Sequence, residues 1–211
     1  MKNALRALIY FFVTLWTGQT FAAGPVVDIF WCQNKQLVDA LYSKIYEVDQ
    51  GVRNKYGRLI NDLKKNGKNI DDNEEVQNVV NEMVVTDLMH QMALVRLVDD
   101  CGWPKSGNKK FEEGSAIATA YLVAQHSDLD YHLYYCPMVQ TSYLAGDIPE
   151  KYFVYYINRM MKDQEKPIRY SEENSSSLLK KEKLEKIDVC KIMEAEVAAS
   201  KQAEKNLQGQ K

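Results

Sequence analysis

Apolar residues recur every three or four positions along most of the chain, which is the spacing of an amphipathic α-helix. The first stripe of this kind consists of Leu37, Leu41, Ile45, Val48, Val52, Tyr56, Leu59 and Leu63. It stops at Lys64-Lys65-Asn66-Gly67, where Gly67 suits the residue that follows a helix end. The pattern therefore predicts one long helix that ends just before Gly67.

A second helix is predicted from Asp71 or Asp72 to Cys101. Asp72 and Glu75 have the spacing of a capping box at its start, and Gly102 follows its end. Because this helix is apolar on most sides over residues 83–98, we expect it near the centre of the fold.

Capping and breaking residues predict three shorter helices. Ser115 and Asp128 are expected to cap the third and fourth helices, and Pro149 suits the first position of a fifth. Pro137 is expected to kink or restart the fourth. A last helix is expected to open at residues 175–177, with a narrow stripe of Leu184, Ile187, Cys190, Met193 and Val197.

These elements predict an all-α bundle of five or six helices. We expect a signal peptide over residues 1–22, a helical domain over 23–175, and a C-terminal amphipathic helix over 176–211 whose end is frayed. The signal peptide is indicated by Lys2 and Arg6, the apolar run 7–16 and the small residues at 22–23. The alternative is an uncleaved membrane anchor, although the run is short for a span.

Cleavage after Ala22 removes two basic residues and no acid, so 25 basic residues face 29 acidic ones and the net charge becomes −4. Such a mildly acidic chain has no electrostatic footprint for nucleic acid and no attraction to anionic membranes. We expect a periplasmic or secreted protein with no stable membrane span after cleavage. The sequence does not indicate the oligomeric state.

Four cysteines in an exported chain predict two disulfides, with three possible connectivities. We favour Cys101–Cys136 with Cys32–Cys190; free buried thiols are the alternative. No two cysteines have the spacing of a zinc site, and His126, Asp128, Asp130 and His132 straddle a helix break where Asp128 is better explained as a cap. We therefore expect no metal and no cofactor.

Ionisable residues on apolar stripes are the candidate functional residues. Asp49 and Arg53 lie one helical turn apart, as an internal ion pair or with Arg53 as an anion clamp. Asp87 and His90 share one face and could pair with each other in the core or serve a functional site. Since such charges need opposite partners, we expect Asp49, Arg53, Asp87 and His126 to lie together.

Three strings together resemble one bacterial family: Asp-Gln-x-x-Arg at 49–53, Gly-Trp-Pro at 102–104 and Gln-His-x-Asp at 125–128. The family is called domain of unknown function 6624, and the resemblance covers roughly residues 41–170. It implies an α-helical fold in which Arg159 joins the four residues named above. Arg159 and Tyr170 match the family's last motif, whereas its Asp, Gln and Gly-Thr are replaced here. The resemblance supplies no activity.

Two functions fit these observations. A non-catalytic binding or accessory protein for an envelope partner is favoured by the export signal, the cysteines, and the lack of a nucleophile–base signature. The alternative is a hydrolase in which His126 is the general base, Asp87 orients it, and Arg53 or Arg159 clamps an anion. Asp49, Arg53, Arg159 and Tyr170 are the candidate binding residues.

Overall fold

The computed structural model describes residues 31–106, 111–163 and 188–208. These residues form a 3₁₀ turn and six α-helices and contain no strand, which confirms the predicted all-α bundle. The elements are the turn Trp31–Gln33, α1 Lys35–Lys65, α2 Glu74–Cys101, α3 Ala116–His126, α4 Leu129–Ala145, α5 Glu150–Asp163 and α6 Val189–Gln208. The predicted signal peptide, Tyr170 and the expected start of the last helix lie outside the described residues.

Helices α1 and α2 form an antiparallel pair, because Lys55 contacts Glu82 while Cys32 is bonded to Cys101. As predicted, α1 ends before Gly67, which has a φ of 62°. The backbone N–H of the next residue, Lys68, donates to the Leu63 carbonyl at 3.0 Å, so a Schellman turn closes the helix.

The predicted cap of α2 is wrong by one residue. Asn73 caps the helix, since its side chain accepts a hydrogen bond from the Val76 N–H at 3.1 Å. Asp72 instead accepts a hydrogen bond from the Asn69 side chain at 2.9 Å, in the turn before the helix. The predicted end at Cys101 is confirmed, and Gly102 follows with a φ of 78°.

The caps of α3 and α4 are the predicted ones. The Ser115 side chain accepts from the Ala118 N–H at 3.4 Å, and Asp128 accepts from the Tyr131 N–H at 3.2 Å. Pro137 lies inside α4 and does not end it. Helix α5 begins one residue after Pro149, whose carbonyl accepts from the Tyr152 N–H.

The core lies where α3, α4 and α5 pack together with α2 and α6. Small residues on α3, such as Ala120 and Ala124, are fully buried and let the neighbouring helices approach closely. Aromatic side chains fill the space between α4 and α5, where Tyr143 stacks on Phe153 and the Tyr156 hydroxyl donates to the His132 carbonyl. No helix in the described ranges is long and apolar enough to cross a membrane.

Two disulfides are present, as predicted, but the favoured pairing is wrong. The bonds are Cys32–Cys101 and Cys136–Cys190. The first follows from the antiparallel arrangement of α1 and α2, which brings the turn before α1 beside the end of α2. The second joins α4 to α6, which pack against each other. Two disulfides are typical of a protein that folds in an oxidising compartment outside the cytoplasm.

Candidate charged site between three helices

Four ionisable side chains meet where α1, α2 and the end of α3 come together; we call them the charged network. Asp49 and Arg53 lie on α1, Asp87 on α2, and His126 is the last residue of α3. The side chain of Asp49 is only 2% exposed, whereas those of Arg53, Asp87 and His126 are 24%, 27% and 21% exposed. The network therefore has one buried member and three that reach the surface.

Arg53 connects the network. Its Nε donates to both carboxylate oxygens of Asp49, at 3.1 and 3.0 Å, and its second terminal nitrogen donates to Asp87 at 2.6 Å. The same nitrogen contacts Nδ1 of His126. Gln50 adds a hydrogen bond to Asp49 at 2.8 Å. The prediction that Asp49, Arg53, Asp87 and His126 lie together is confirmed.

The contact between Arg53 and His126 depends on the tautomer of the ring. A guanidinium group can only donate hydrogen bonds, so Nδ1 of a neutral His126 accepts one and its proton is on Nε2. The general base of a triad has the other tautomer, with Nδ1–H donating to a carboxylate. The contact with Arg53 therefore differs from the arrangement of a triad base.

The two carboxylates titrate in opposite directions. Burial raises the pKa of Asp49, but the hydrogen bonds and charges of His126 and Arg53 outweigh burial and lower this pKa to about 2. Burial raises the pKa of Asp87; the negative charge of Asp49 adds to the rise and the charge of Arg53 opposes it. The pKa values of the two acids that share one guanidinium therefore move apart, and Asp49 stays ionised to lower pH than Asp87.

Of the two alternatives for Asp87 and His90, the local pair is not the one that forms. Asp87 pairs with Arg53, which offers a permanent positive charge, whereas burial lowers the pKa of His90 and favours its neutral form. His90 is 8% exposed, and its Nδ1 has no hydrogen-bond partner among the described residues. The charge of Asp49 raises the pKa of His90, and the charge of Arg53 adds to the lowering by burial.

The remaining candidates lie around the network or away from it. Arg159 is exposed on α5, and its charge lowers the pKa of Asp87. The ring of His132 faces the Gln125 carbonyl, and Asp130 pairs with Lys201 on α6. The histidines and acids around residues 126–132 therefore do not form one cluster, and Asp128 is a cap, as predicted.

Three of the network residues have the donor atoms of a metal site. Asp49, Asp87 and His126 each offer one ligand atom, and these atoms lie within 4.8 Å of one another. Sequence spacing gave no sign of this set, because its members are on three different helices. Only the expectation that they lie together pointed toward it.

Comparison with known proteins gives no match to a family model, a curated protein or a solved structure. The resemblance to the family named above therefore stays a prediction. The fold and site define a disulfide-linked helical bundle with a half-buried charged network, and function is argued from that geometry.

Proposed function

We propose that this chain is an exported, non-catalytic protein that binds a protein partner in the cell envelope. The observation that carries the proposal is a group of exposed aliphatic side chains on α2, which we call the α2 apolar surface: Val84, Val85 and Leu88. They are 53%, 56% and 51% exposed. Residues at this spacing are neighbours on a helix, and grouped exposed apolar side chains mark interaction sites.

The acidic balance of the chain indicates the chemistry of the partner. Asp128 at the start of α4 is exposed and contacts Gln91 of α2, whereas Glu82 and Asp87 of α2 are already paired with basic residues of α1. The chain carries a net negative charge before and after the expected cleavage. A partner with an apolar centre and surrounding Lys or Arg residues would complement it.

Further along α2, an exposed aromatic residue of α4 contacts the helix. Tyr134 of α4 is 39% exposed and donates a hydrogen bond to Asp99 near the end of α2. Tyrosine is enriched at protein interfaces, because its ring is apolar and its hydroxyl forms hydrogen bonds. The side of the bundle that carries Val84 and Tyr134 is therefore the proposed interface.

The charged network supports binding over hydrolysis. Arg53 already donates to Asp49, Asp87 and His126, so it is poorly suited to clamp an anionic substrate. Nδ1 of His126 already contacts Arg53, so this nitrogen is not free to take a proton from a substrate. One observation favours the hydrolytic alternative, namely that Arg53, Asp87 and His126 each keep part of their surface exposed. Turnover of an envelope substrate that His126→Ala abolishes without loss of stability would favour that alternative.

The compartment is part of the same proposal. The signal peptide predicted over residues 1–22 supports export, and the disulfides support an oxidising destination. We assign the periplasm as the place of action. The mature chain is expected to begin at Ala23 or Gly24, which intact-mass analysis of the exported protein measures.

Partner binding is tested by site-specific photo-crosslinking from position 85 in cells that export the chain with its own leader. We expect one discrete cross-linked protein, lost by roughly tenfold in Leu88→Glu, since a buried charge would oppose the apolar contact. Ile192→Glu is the matched control, because Ile192 is 48% exposed on a different helix. No cross-link, or equal loss in both variants, would contradict the proposal.

A further inference from the structure

The donor atoms of the charged network are spaced closely enough to bind one ion. Ligand atoms of Asp49, Asp87 and His126 all lie within 4.8 Å of one another, and His126 Nδ1 is 3.8 Å from Asp49 Oδ1. Donors at about 2.0–2.2 Å from one tetrahedral zinc ion lie roughly 3.4 Å apart. Small side-chain rotations would therefore bring the three donors to bonding separation.

A second observation also points to a ligand. His90 is more than nine-tenths buried, and its Nδ1 has no hydrogen-bond partner in the described part of the chain. It lies three residues after Asp87 and therefore on the same side of α2. Burial and the charge of Arg53 lower the pKa of its ring, and the charge of Asp49 raises it. A buried, unpartnered imidazole is the kind of donor that a metal ion satisfies.

We propose that Asp49, Asp87 and His126 bind a divalent transition-metal ion, with His90 as a fourth donor. Mixed imidazole and carboxylate donors suit zinc and its neighbours in the first transition row, whereas calcium and magnesium prefer oxygen donors alone. The ion replaces the Arg53 guanidinium as the positively charged partner of these donors. The Arg53 guanidinium lies among these donors, and it releases Asp87 and His126 when the ion binds.

Charge balance supports this exchange. The two carboxylates carry two negative charges, and Arg53 compensates one of them. A divalent ion compensates both. Arg53 is 24% exposed and can turn toward solvent without leaving an unpaired charge in the core. The metal ion and the guanidinium therefore compete for one site. Replacement of Arg53 should then strengthen metal binding, which adventitious binding at the surface would not show.

The test is calorimetric titration of Zn²⁺ into the mature, oxidised protein without a histidine tag. We expect one ion per chain, affinity weakened at least about tenfold by Asp87→Asn and by His90→Ala, and affinity strengthened about tenfold by Arg53→Gln, since each charge-assisted contact accounts for about that factor. Asp130→Asn is the control, because Asp130 is exposed on α4 and 75% accessible. Ca²⁺ and Mg²⁺ should not bind.

Three results would overturn the proposal. These are no saturable Zn²⁺ binding in either wild type or Arg53→Gln, binding unchanged by Asp87→Asn and His90→Ala, or weaker binding in Arg53→Gln. Circular dichroism checks that each variant folds, and the Arg53→Gln result decides the matter if Asp87→Asn does not. Leu88→Glu should leave Zn²⁺ affinity unchanged, so failure of the partner proposal and failure of this one are distinguishable.

Discussion

At the scale of single residues, Asp49 is the member of the charged network on which the others depend. Its carboxylate is 2% exposed and accepts hydrogen bonds from Arg53 and Gln50. A buried carboxylate is tolerated only when such partners compensate its lost hydration. The lowered pKa of Asp49 shows that here the partners more than compensate burial.

This lowered pKa predicts how stability depends on pH. The pKa falls from 3.8 to about 2, so ionised Asp49 contributes about 2 kcal/mol above pH 4, and the contribution is lost as pH falls through about 2. Asp49→Asn should therefore cost about 2 kcal/mol at neutral pH and much less near pH 2. Urea unfolding across this pH range measures the difference.

Asp87→Asn is the control for this prediction. Asp87 is 27% exposed and its pKa is raised, so its ionisation does not favour the folded state in the same way. Its replacement should cost less at neutral pH, and the cost should not fall with pH as that of Asp49→Asn does. An Asp49→Asn cost that is the same at pH 7 and pH 2 would refute the assignment.

The network was largely predictable from the sequence because of this same energetic rule. Asp49, Arg53 and Asp87 interrupt apolar stripes, and charges in such positions need opposite partners. The rule does not say which partner is chosen. Spacing suggested Asp87 with His90, but a distant Arg53 with a permanent charge is the stronger partner. That choice depends on the packing of α1 on α2, which local spacing does not reveal.

At the scale of elements, α1 contains two glycines that no contact requires. Gly51 and Gly57 lie inside this 31-residue helix, and a methyl group at either would meet nothing within 4 Å. Gly67 also meets nothing, but its φ of 62° is the left-handed conformation that other residues adopt at a cost. Substitutions at these positions therefore distinguish the effect of helix propensity on stability from that of turn geometry.

We expect Gly51→Ala to stabilise the protein by about 0.5–1 kcal/mol and Gly67→Ala to destabilise it by about 1 kcal/mol. Alanine reduces the freedom of the unfolded chain at both positions, but only at Gly67 does it strain the folded chain. Thermal unfolding of the two variants beside wild type measures this contrast. Stabilisation by Gly67→Ala would show that Gly67 does not need its positive φ.

Helix boundaries were predictable where one capping residue stands alone or its neighbour already ends the preceding helix. Ser115 caps α3 as expected, and Asp128 caps α4, because the neighbouring Ser127 ends α3 and its hydroxyl donates to the Val123 carbonyl. At the start of α2 the sequence offers Asp71, Asp72 and Asn73 in a row, all acceptable caps. The turn decides between them, because Asp72 is already bonded to Asn69 and Asn73 has the extended backbone of a cap.

At the scale of the whole molecule, the disulfides show what the pattern of helices leaves open. An antiparallel α1–α2 pair is enough to bring Cys32 to Cys101, although the sequence alone did not establish that pair. The position of α6 against α4 follows from no local pattern, so Cys136–Cys190 could not be chosen from the sequence. The fraying expected at the C-terminal end of the chain stays a prediction.

The two disulfides hold different parts of the bundle, so removal of each should have a different local effect. They separate their cysteines by 69 and 54 residues, so loss of either should cost about 4 kcal/mol from chain entropy alone. The double variant Cys136→Ala with Cys190→Ala should in addition loosen α6, which packs on α4 through Cys190 and its buried neighbours Val189 and Met193. Hydrogen exchange should rise in α6 first, because its remaining surface is polar.

Loss of Cys32–Cys101 should instead raise exchange at the start of α1 and the end of α2. Exchange rising equally everywhere in both variants would mean that each bond acts only by restricting the unfolded chain. A non-reducing peptide map with other pairings would reject the arrangement of α6.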